Sequence, residues 1–223
     1  MLSNKATVFI SIAIIILSFL VSAYYFPSLP ERIAIHWDIN GNPNGYMDKA
    51  AGVLLLPALM GLLALLFFAI PKIDPKKRNI EKFRPYFNGL VILLLVFLLA
   101  VHIETILWSA GLQVSPALLL PIGIGVLFFY IGLMLPHAEQ NWFVGIRTPW
   151  TLTSESVWKK THKIGGTLFK IAGIISILGV LSPYYSIYFV IVPVIAAAAY
   201  CVVYSYYEFA REKRRPKYVT RSS

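Results

Sequence analysis

The chain has 223 residues, of which 58% are hydrophobic and 13% charged, and its formal net charge is +10. A soluble domain carries about 25% charged residues, so this composition excludes an ordinary water-soluble domain. The single cysteine, Cys201, excludes an intramolecular disulfide and a metal site built from cysteines.

Six apolar segments account for most of the chain. A helix needs about 20 residues to cross a hydrocarbon core of about 30 Å, and the segments lack the alternation of barrel strands. We therefore predict an all-α integral membrane protein with six transmembrane helices. The predicted spans are residues 7–26, 51–70, 88–109, 117–135, 164–182 and 187–207.

The distribution of Lys and Arg predicts the orientation. Eighteen of the 20 basic residues lie at the N-terminus, after the second and fourth spans, and in the tail, and two lie in the first loop. Since basic loops stay in the cytoplasm, we predict a multi-pass plasma-membrane protein with both termini inside. Topology and attraction to membrane lipid explain the charge, so we expect no direct contact with nucleic acid.

The first loop, residues 27–50, is the one sizeable outer connection. The segment "RIAIHW" alternates apolar and polar residues, which predicts a short strand, and "NGNPNG" predicts a tight turn. The result would be a small ordered outer loop. Its candidate recognition residues are His36, Trp37, Asp38, Asn40 and Asp48.

The third span contains two ionisable residues, His102 and Glu104. Such residues are costly within a membrane and are functional candidates by default. We place them with the outer loop in one candidate site, in which His36, Asp38, His102 and Glu104 could bind zinc or another divalent ion, or a proton. The alternative is that Glu104 reaches the outer interface and His102 binds a neighbouring helix. No other cofactor is predicted.

The segment "NWFVGIRTPWTLTSESVWKKTHK", residues 141–163, is an inner loop of different character. We predict an amphipathic inner helix with Thr153 as N-cap, Trp158 as an interfacial anchor, and lysines that reach the lipid head groups. Arg147 could bind a carboxylate or helix-end carbonyls and so fix the loop, with Trp150 packed alongside. The alternative for Arg147 is an ordinary positive-inside charge.

This inner segment resembles the signature of the SdpI family, membrane immunity proteins that act against a secreted bacterial toxin. The first loop resembles a module that often precedes that signature, through residues such as Leu29, Pro30 and Lys49. The matching inner residues are Asn141, Gly145, Arg147, Thr148, Pro149, Trp150, Trp158 and His162.

The resemblance implies a division of the chain. Residues 1–70 would form a two-helix module, 71–87 a basic cytoplasmic linker, 88–210 an SdpI-like four-helix module with a signature loop at 136–163, and 211–223 a basic tail. It also implies protection against an exported peptide or protein toxin, and retention of a cytoplasmic repressor at the membrane. No nucleophile-and-base arrangement or phosphate loop is evident, so we expect no enzymatic activity. The alternative function is a small proton- or metal-linked transporter that uses His102 and Glu104.

Overall fold

The computed structural model describes residues 3–38, 41–112 and 116–214. Eight α-helices and one β-hairpin account for most of them. The hairpin consists of β1 (Arg32–Trp37) and β2 (Pro43–Asp48). The helices are α1 (Asn4–Tyr25), α2 (Lys49–Ile73), α3 (Lys77–Lys82), α4 (Arg84–Ser109), α5 (Pro116–Met134), α6 (Pro149–Thr153), α7 (Glu155–Leu178) and α8 (Ser186–Arg214).

Six helices of the described chain are long and apolar enough to cross a membrane: α1, α2, α4, α5, α7 and α8. They correspond to the six predicted spans, so that prediction is confirmed. Many large hydrophobic side chains of these helices are exposed at the surface, as expected where lipid is the solvent.

The spans pack in two groups of three. Helix α4 packs against α1 and α2, whereas α7 packs against α5 and α8, and α4 also contacts α5. The predicted boundary at residue 88 places α4 with the last three spans, but its contacts are mainly with the first two. The apolar core of the first group includes Met60, Phe87, Val91 and Leu95.

Glycines allow the backbones of α5 and α7 to touch. A Cβ atom built on Gly132 would lie 2.6 Å from the backbone nitrogen of Lys170, and one on Gly173 would lie 2.6 Å from that of Phe129. Small residues are what permits such an approach between helices in a membrane. Gly166 is another of these contacts, and α7 continues through it without interruption.

The bundle has two distinct ends. The hairpin end carries β1 and β2, which sit over a small cluster of Leu29, Ile33, Val53 and Ile106. The basic end carries residues 74–88, residues 135–154 and the last turns of α8. Hydrogen bonds such as Asn88 Nδ2 to Asn4 Oδ1 (2.8 Å) and Ser154 Oγ to Glu212 Oε2 (2.6 Å) hold its parts together.

The hairpin confirms the predicted strand and adds one that was missed. Strand β1 is the predicted "RIAIHW", and it pairs antiparallel with β2, whose sequence is "PNGYMD". Residues such as Pro, Asn, Gly and Asp are depleted in strands, so the sequence of β2 predicted a turn and no strand. Pairing with β1 overrides that preference, and a register shift accommodates Gly45 opposite His36.

The predicted start of the inner helix was wrong. Thr148, not Thr153, caps α6, and Ser154 caps α7 by accepting a hydrogen bond from the Val157 N–H at 3.2 Å. Helix α7 then continues into the fifth span without a break. Trp158 is 1% exposed, so it is a core residue rather than the predicted interfacial anchor.

Candidate functional site

A cavity of about 690 Å³ opens beneath the hairpin. Its floor is apolar and is built by α4, α5 and α8, with Val101, Leu120 and Ile187 among the contributors. Its rim is polar and comes from the turn end of the hairpin. The rim residues are His36, Trp37, Asp38, Gly41 and Asn44.

The turn that forms this rim is held by its own polar groups. The Asp38 carboxylate accepts a hydrogen bond from the Asn42 N–H at 2.9 Å, and the Asp38 N–H donates to the Asn42 carbonyl at 2.8 Å. Gly41 has a φ of 79°, which favours glycine. The His36 ring bonds to the Asn44 side chain across the strands. These bonds connect the described residues of the rim to one another.

Trp37 links the rim to α4. Its ring meets that of Trp108 edge-on, with centroids 6.0 Å apart. Its indole N–H is buried and has no hydrogen-bond partner in the described residues. An unpaired buried donor is costly, so Trp37 adds a polar group with an unmet hydrogen bond next to the cavity.

His102 faces the opposite way, into the first helix group. Its Nε2 donates to the Ser18 carbonyl at 3.2 Å and to the Ser22 hydroxyl at 3.0 Å. The Ser22 hydroxyl in turn donates to the Val53 carbonyl at 2.8 Å. His102 thus joins α1, α2 and α4, which is the alternative that the sequence left open for it.

Glu104 lies on a different stripe of α4 from His102. It is 7% exposed, and its Oε1 is buried without a partner in the described residues. Residues three and four apart share a helix face, so Glu104 lies between Val101, which lines the cavity, and Trp108, which contacts Trp37. The stripe of Glu104 therefore runs towards the hairpin.

The predicted metal ligands do not come together. His36 is exposed and bound to Asn44, while His102 is turned towards α1. Among the described residues, no three His, Cys, Asp or Glu side chains are placed to hold a metal ion. Asp48 is exposed at the far end of the hairpin, opposite Arg32, and Asn40 lies outside the described residues. These residues do not fit a zinc site.

The signature loop at the basic end is built around Asn141, which is fully buried. Its Oδ1 accepts from the N–H groups of Phe143 (2.9 Å) and Val144 (2.7 Å), and its Nδ2 donates to the carbonyls of Glu139 and Val144, each at 2.9 Å. One amide side chain thus satisfies four backbone groups. Asn is the residue type whose side chain folds back onto its own turn in this way.

Gly145 is needed because the ring of His162 lies directly against it. Its φ is 117°, and a Cβ there would collide with the His162 Nε2. That nitrogen accepts from the Ile146 N–H at 3.0 Å, and the His162 Nδ1 donates to the Trp158 carbonyl at 2.9 Å. The Trp158 and His162 rings stack 4.0 Å apart, and the Trp158 indole donates to the Ala138 carbonyl at 2.6 Å.

Thr148 and Pro149 start helix α6. Thr148 accepts from the Thr151 N–H at 3.2 Å, and the Thr151 hydroxyl oxygen accepts from the Thr148 N–H at 2.9 Å, which is a reciprocal capping arrangement. Pro149 occupies the first helical position, where its missing N–H costs nothing. The Thr148 hydroxyl also donates to Ser205 at 3.0 Å, and Trp150 packs on Tyr206. The loop is thereby fixed to α8.

Two residues that the sequence did not single out fasten this loop to the rest of the basic end. Asp74, 2% exposed, accepts from the N–H groups of Lys76 (2.6 Å) and Trp142 (2.9 Å). Gln140 donates to the carbonyls of Thr151 (2.7 Å) and Leu152 (3.0 Å). Nothing in the pattern around either residue marks it, since the contacts from Asp74 to Trp142 and from Gln140 to α6 join segments that are separated in sequence.

The predicted partners of Arg147 were wrong. The side chain is exposed, and it donates from Nη1 to the Trp142 carbonyl at 2.7 Å, within the same loop. Because Asn141, Thr151 and His162 already satisfy the buried backbone of the loop, Arg147 does not hold it to the bundle. Its charge stays at the surface.

The fold and the two sites define a class of protein. It is a multi-pass membrane protein, with a hairpin over a cavity at one end and an internally hydrogen-bonded loop at the other. No solved structure matches the chain.

Comparisons with known proteins give the family. The SdpI/YfhL protein family matches residues 137–205, and a domain of unknown function (DUF1648) matches residues 13–61. The immunity protein SdpI of Bacillus subtilis (strain 168) is 31% identical over 203 residues, which cover 91% of this chain and 95% of the relative. An uncharacterized membrane protein of the same bacterium, YbgB, is 36% identical over 50 residues, 22% of this chain and 55% of that protein. The chain belongs to the SdpI/YfhL family.

Proposed function

We propose that the protein is an immunity protein that protects its own cell from an exported peptide or protein toxin. The observation that carries the proposal is the cavity beneath the hairpin, in a chain related over nearly its full length to an immunity protein. An apolar floor with a few polar rim groups is typical of ligand sites. The lining suits an apolar segment of a toxin.

The orientation that suits this role places the hairpin end outside and the basic end in the cytoplasm. Its support is the charge distribution, since 18 of the 20 basic residues belong to segments on one side of the predicted spans. A toxin in the membrane or outside the cell then meets the hairpin first.

The signature loop would hold a transcriptional repressor at the membrane while toxin is bound. The loop uses its buried polar groups internally and leaves Trp142, Phe143 and Arg147 exposed on its surface. Aromatic residues and Arg are enriched where proteins bind partners. The rigid loop would present these three side chains in a fixed arrangement.

The test of immunity is a mixed culture. Cells from which the gene has been deleted are grown together with their parent cells, and survivors of each kind are counted. We expect the deletion cells to die and to be rescued by the gene on a plasmid. Survival of the unprotected deletion cells at the parental level would contradict the proposal.

A further inference from the structure

A second cavity, of about 350 Å³, lies at the basic end, between the segment after α5 and the first turns of α7. The proposed function makes no use of it. Its lining contains two lysines, two histidines, one carboxylate and two apolar residues. These are Lys159, Lys163, His137, His162, Glu139, Pro136 and Ala138.

The two lysines carry the positive charge of this cavity. Lys159 and Lys163 lie four residues apart, on one face of α7, where like charges repel. In the described chain neither ammonium group is within ion-pair distance of a carboxylate, whereas Lys160, on another face, binds Glu208 at 2.6 Å. Two unpaired cations that share a cavity favour an anion between them.

The remaining polar groups restrict what else the cavity can bind. Both ring nitrogens of His162 are already hydrogen-bonded, to Ile146 and Trp158, so the ring lines the cavity but offers no nitrogen to a ligand. His137 stacks on Tyr86, with centroids 4.2 Å apart. Glu139 is half-buried at the cavity and can accept a hydrogen bond from a ligand hydroxyl.

Apolar residues continue from the cavity along both helices. Leu133, one turn before Pro136 and His137, is 40% exposed. On α7, Ile171 (48% exposed) and Ile174 (50% exposed) lie about two and three turns beyond Lys163, after Thr167 and Lys170. These side chains face lipid, so a ligand that binds in the cavity can extend an acyl chain over them. A free anion would gain nothing from this apolar track.

We propose that this cavity binds the head group of an acidic phospholipid. Lys159 and Lys163 contact the phosphate, Glu139 accepts from a head-group hydroxyl, and the acyl chains lie over Leu133 and Ile171. Basic pockets at the ends of transmembrane helices bind acidic lipids in this manner. The site is independent of the hairpin-end cavity and of toxin protection.

The test is lipid retention by the purified full-length protein, measured by native mass spectrometry. The protein in detergent is incubated separately with phosphatidylglycerol, phosphatidylethanolamine, phosphatidylcholine and inorganic phosphate. We expect one phosphatidylglycerol to be retained preferentially. Because each lysine near acidic lipid contributes about 1 kcal/mol to the binding free energy, the variant K159Q/K163Q should weaken retention roughly 10- to 30-fold. The control K77Q/K82Q removes two exposed charges from α3 at the same end and should change lipid retention little.

Three results would overturn the proposal. Equal retention of the three lipids by the unaltered protein would show that charge is not recognised. An equal loss in K159Q/K163Q and K77Q/K82Q would show only a diffuse attraction. Binding of inorganic phosphate that displaces phosphatidylglycerol without loss of affinity would show a free-anion site. The first comparison uses the unaltered protein, so it decides the question even if a variant fails to fold.

Discussion

At the scale of single residues, the polar side chains in the spans and in the signature loop have separate structural tasks. His102 and the serines of α1 join three helices, and Asn141 satisfies four backbone groups of one loop. The sequence identified His102 as a candidate because ionisable groups in an apolar span are conspicuous, and Asn141 because the inner loop resembles the SdpI signature. It did not reveal their partners, because these depend on which helix faces which.

The His102–Ser22 contact can be measured with a double-mutant cycle. We predict a coupling of about 0.6 kcal/mol between His102→Ala and Ser22→Ala, and at most about 1.7 kcal/mol, which is the range for such bonds within membranes. The measurement is the free energy of unfolding in detergent for the four proteins of the cycle. Strictly additive effects would show that the hydrogen bond contributes nothing.

Asn141 and Arg147 should differ in their effect on stability. Asn141→Ala leaves buried backbone groups unpaired, each at a cost of about 1–3 kcal/mol. Arg147→Ala removes one exposed hydrogen bond and should cost under about 1 kcal/mol. Thermal unfolding in detergent compares them, and equal losses would mean that Arg147 does hold the loop to the bundle.

At the scale of elements, what was predicted well depends on local signals. The six spans follow from length and hydropathy, and β1 follows from the alternation in "RIAIHW". Strand β2 and the α5–α7 contact could not be predicted from the sequence, because each depends on a partner element. The glycines of α7 do not reveal this contact by themselves, since close approach to α5 has no signature within α7 alone.

The α5–α7 contact predicts a contrast between glycines. Gly132→Ala places a methyl group 2.6 Å from the Lys170 nitrogen and should cost about 1–3 kcal/mol of stability through overpacking. Gly61→Ala is the matched control, because nothing lies within 4 Å of a Cβ on Gly61 in α2. It should leave stability unchanged or raise it by up to about 1 kcal/mol. Detergent melting curves distinguish the two, and a neutral Gly132→Ala would contradict the close approach.

At the scale of the whole molecule, α8 indicates where the membrane lies. Its exposed Tyr188 and Tyr206 are 18 residues apart, a distance of about 27 Å along a helix. This matches a hydrocarbon core of about 30 Å between two aromatic belts. The hairpin and its cavity then lie at one interface, and the signature loop lies at the other.

The proposed orientation predicts which end an impermeant reagent reaches. In a Cys201→Ser background, a cysteine at Ser28 should react with a membrane-impermeant maleimide in intact cells, and one at Lys82 should react only after lysis. Both positions are exposed in the structure, at opposite ends. Labelling of the Lys82 position in intact cells would reverse the topology and place the hairpin in the cytoplasm.

The central claim is that the hairpin-end cavity confers protection, and a cavity-filling variant tests it most directly. Ile187→Trp places an indole in the cavity, whereas Leu62→Trp puts one on a lipid-facing position that is 64% exposed. Both variants are expressed in deletion cells that are grown with the parent, and membrane abundance is measured alongside survival. We predict that Leu62→Trp protects like the unaltered protein and that Ile187→Trp, at equal abundance, does not. Full protection by Ile187→Trp would contradict the claim.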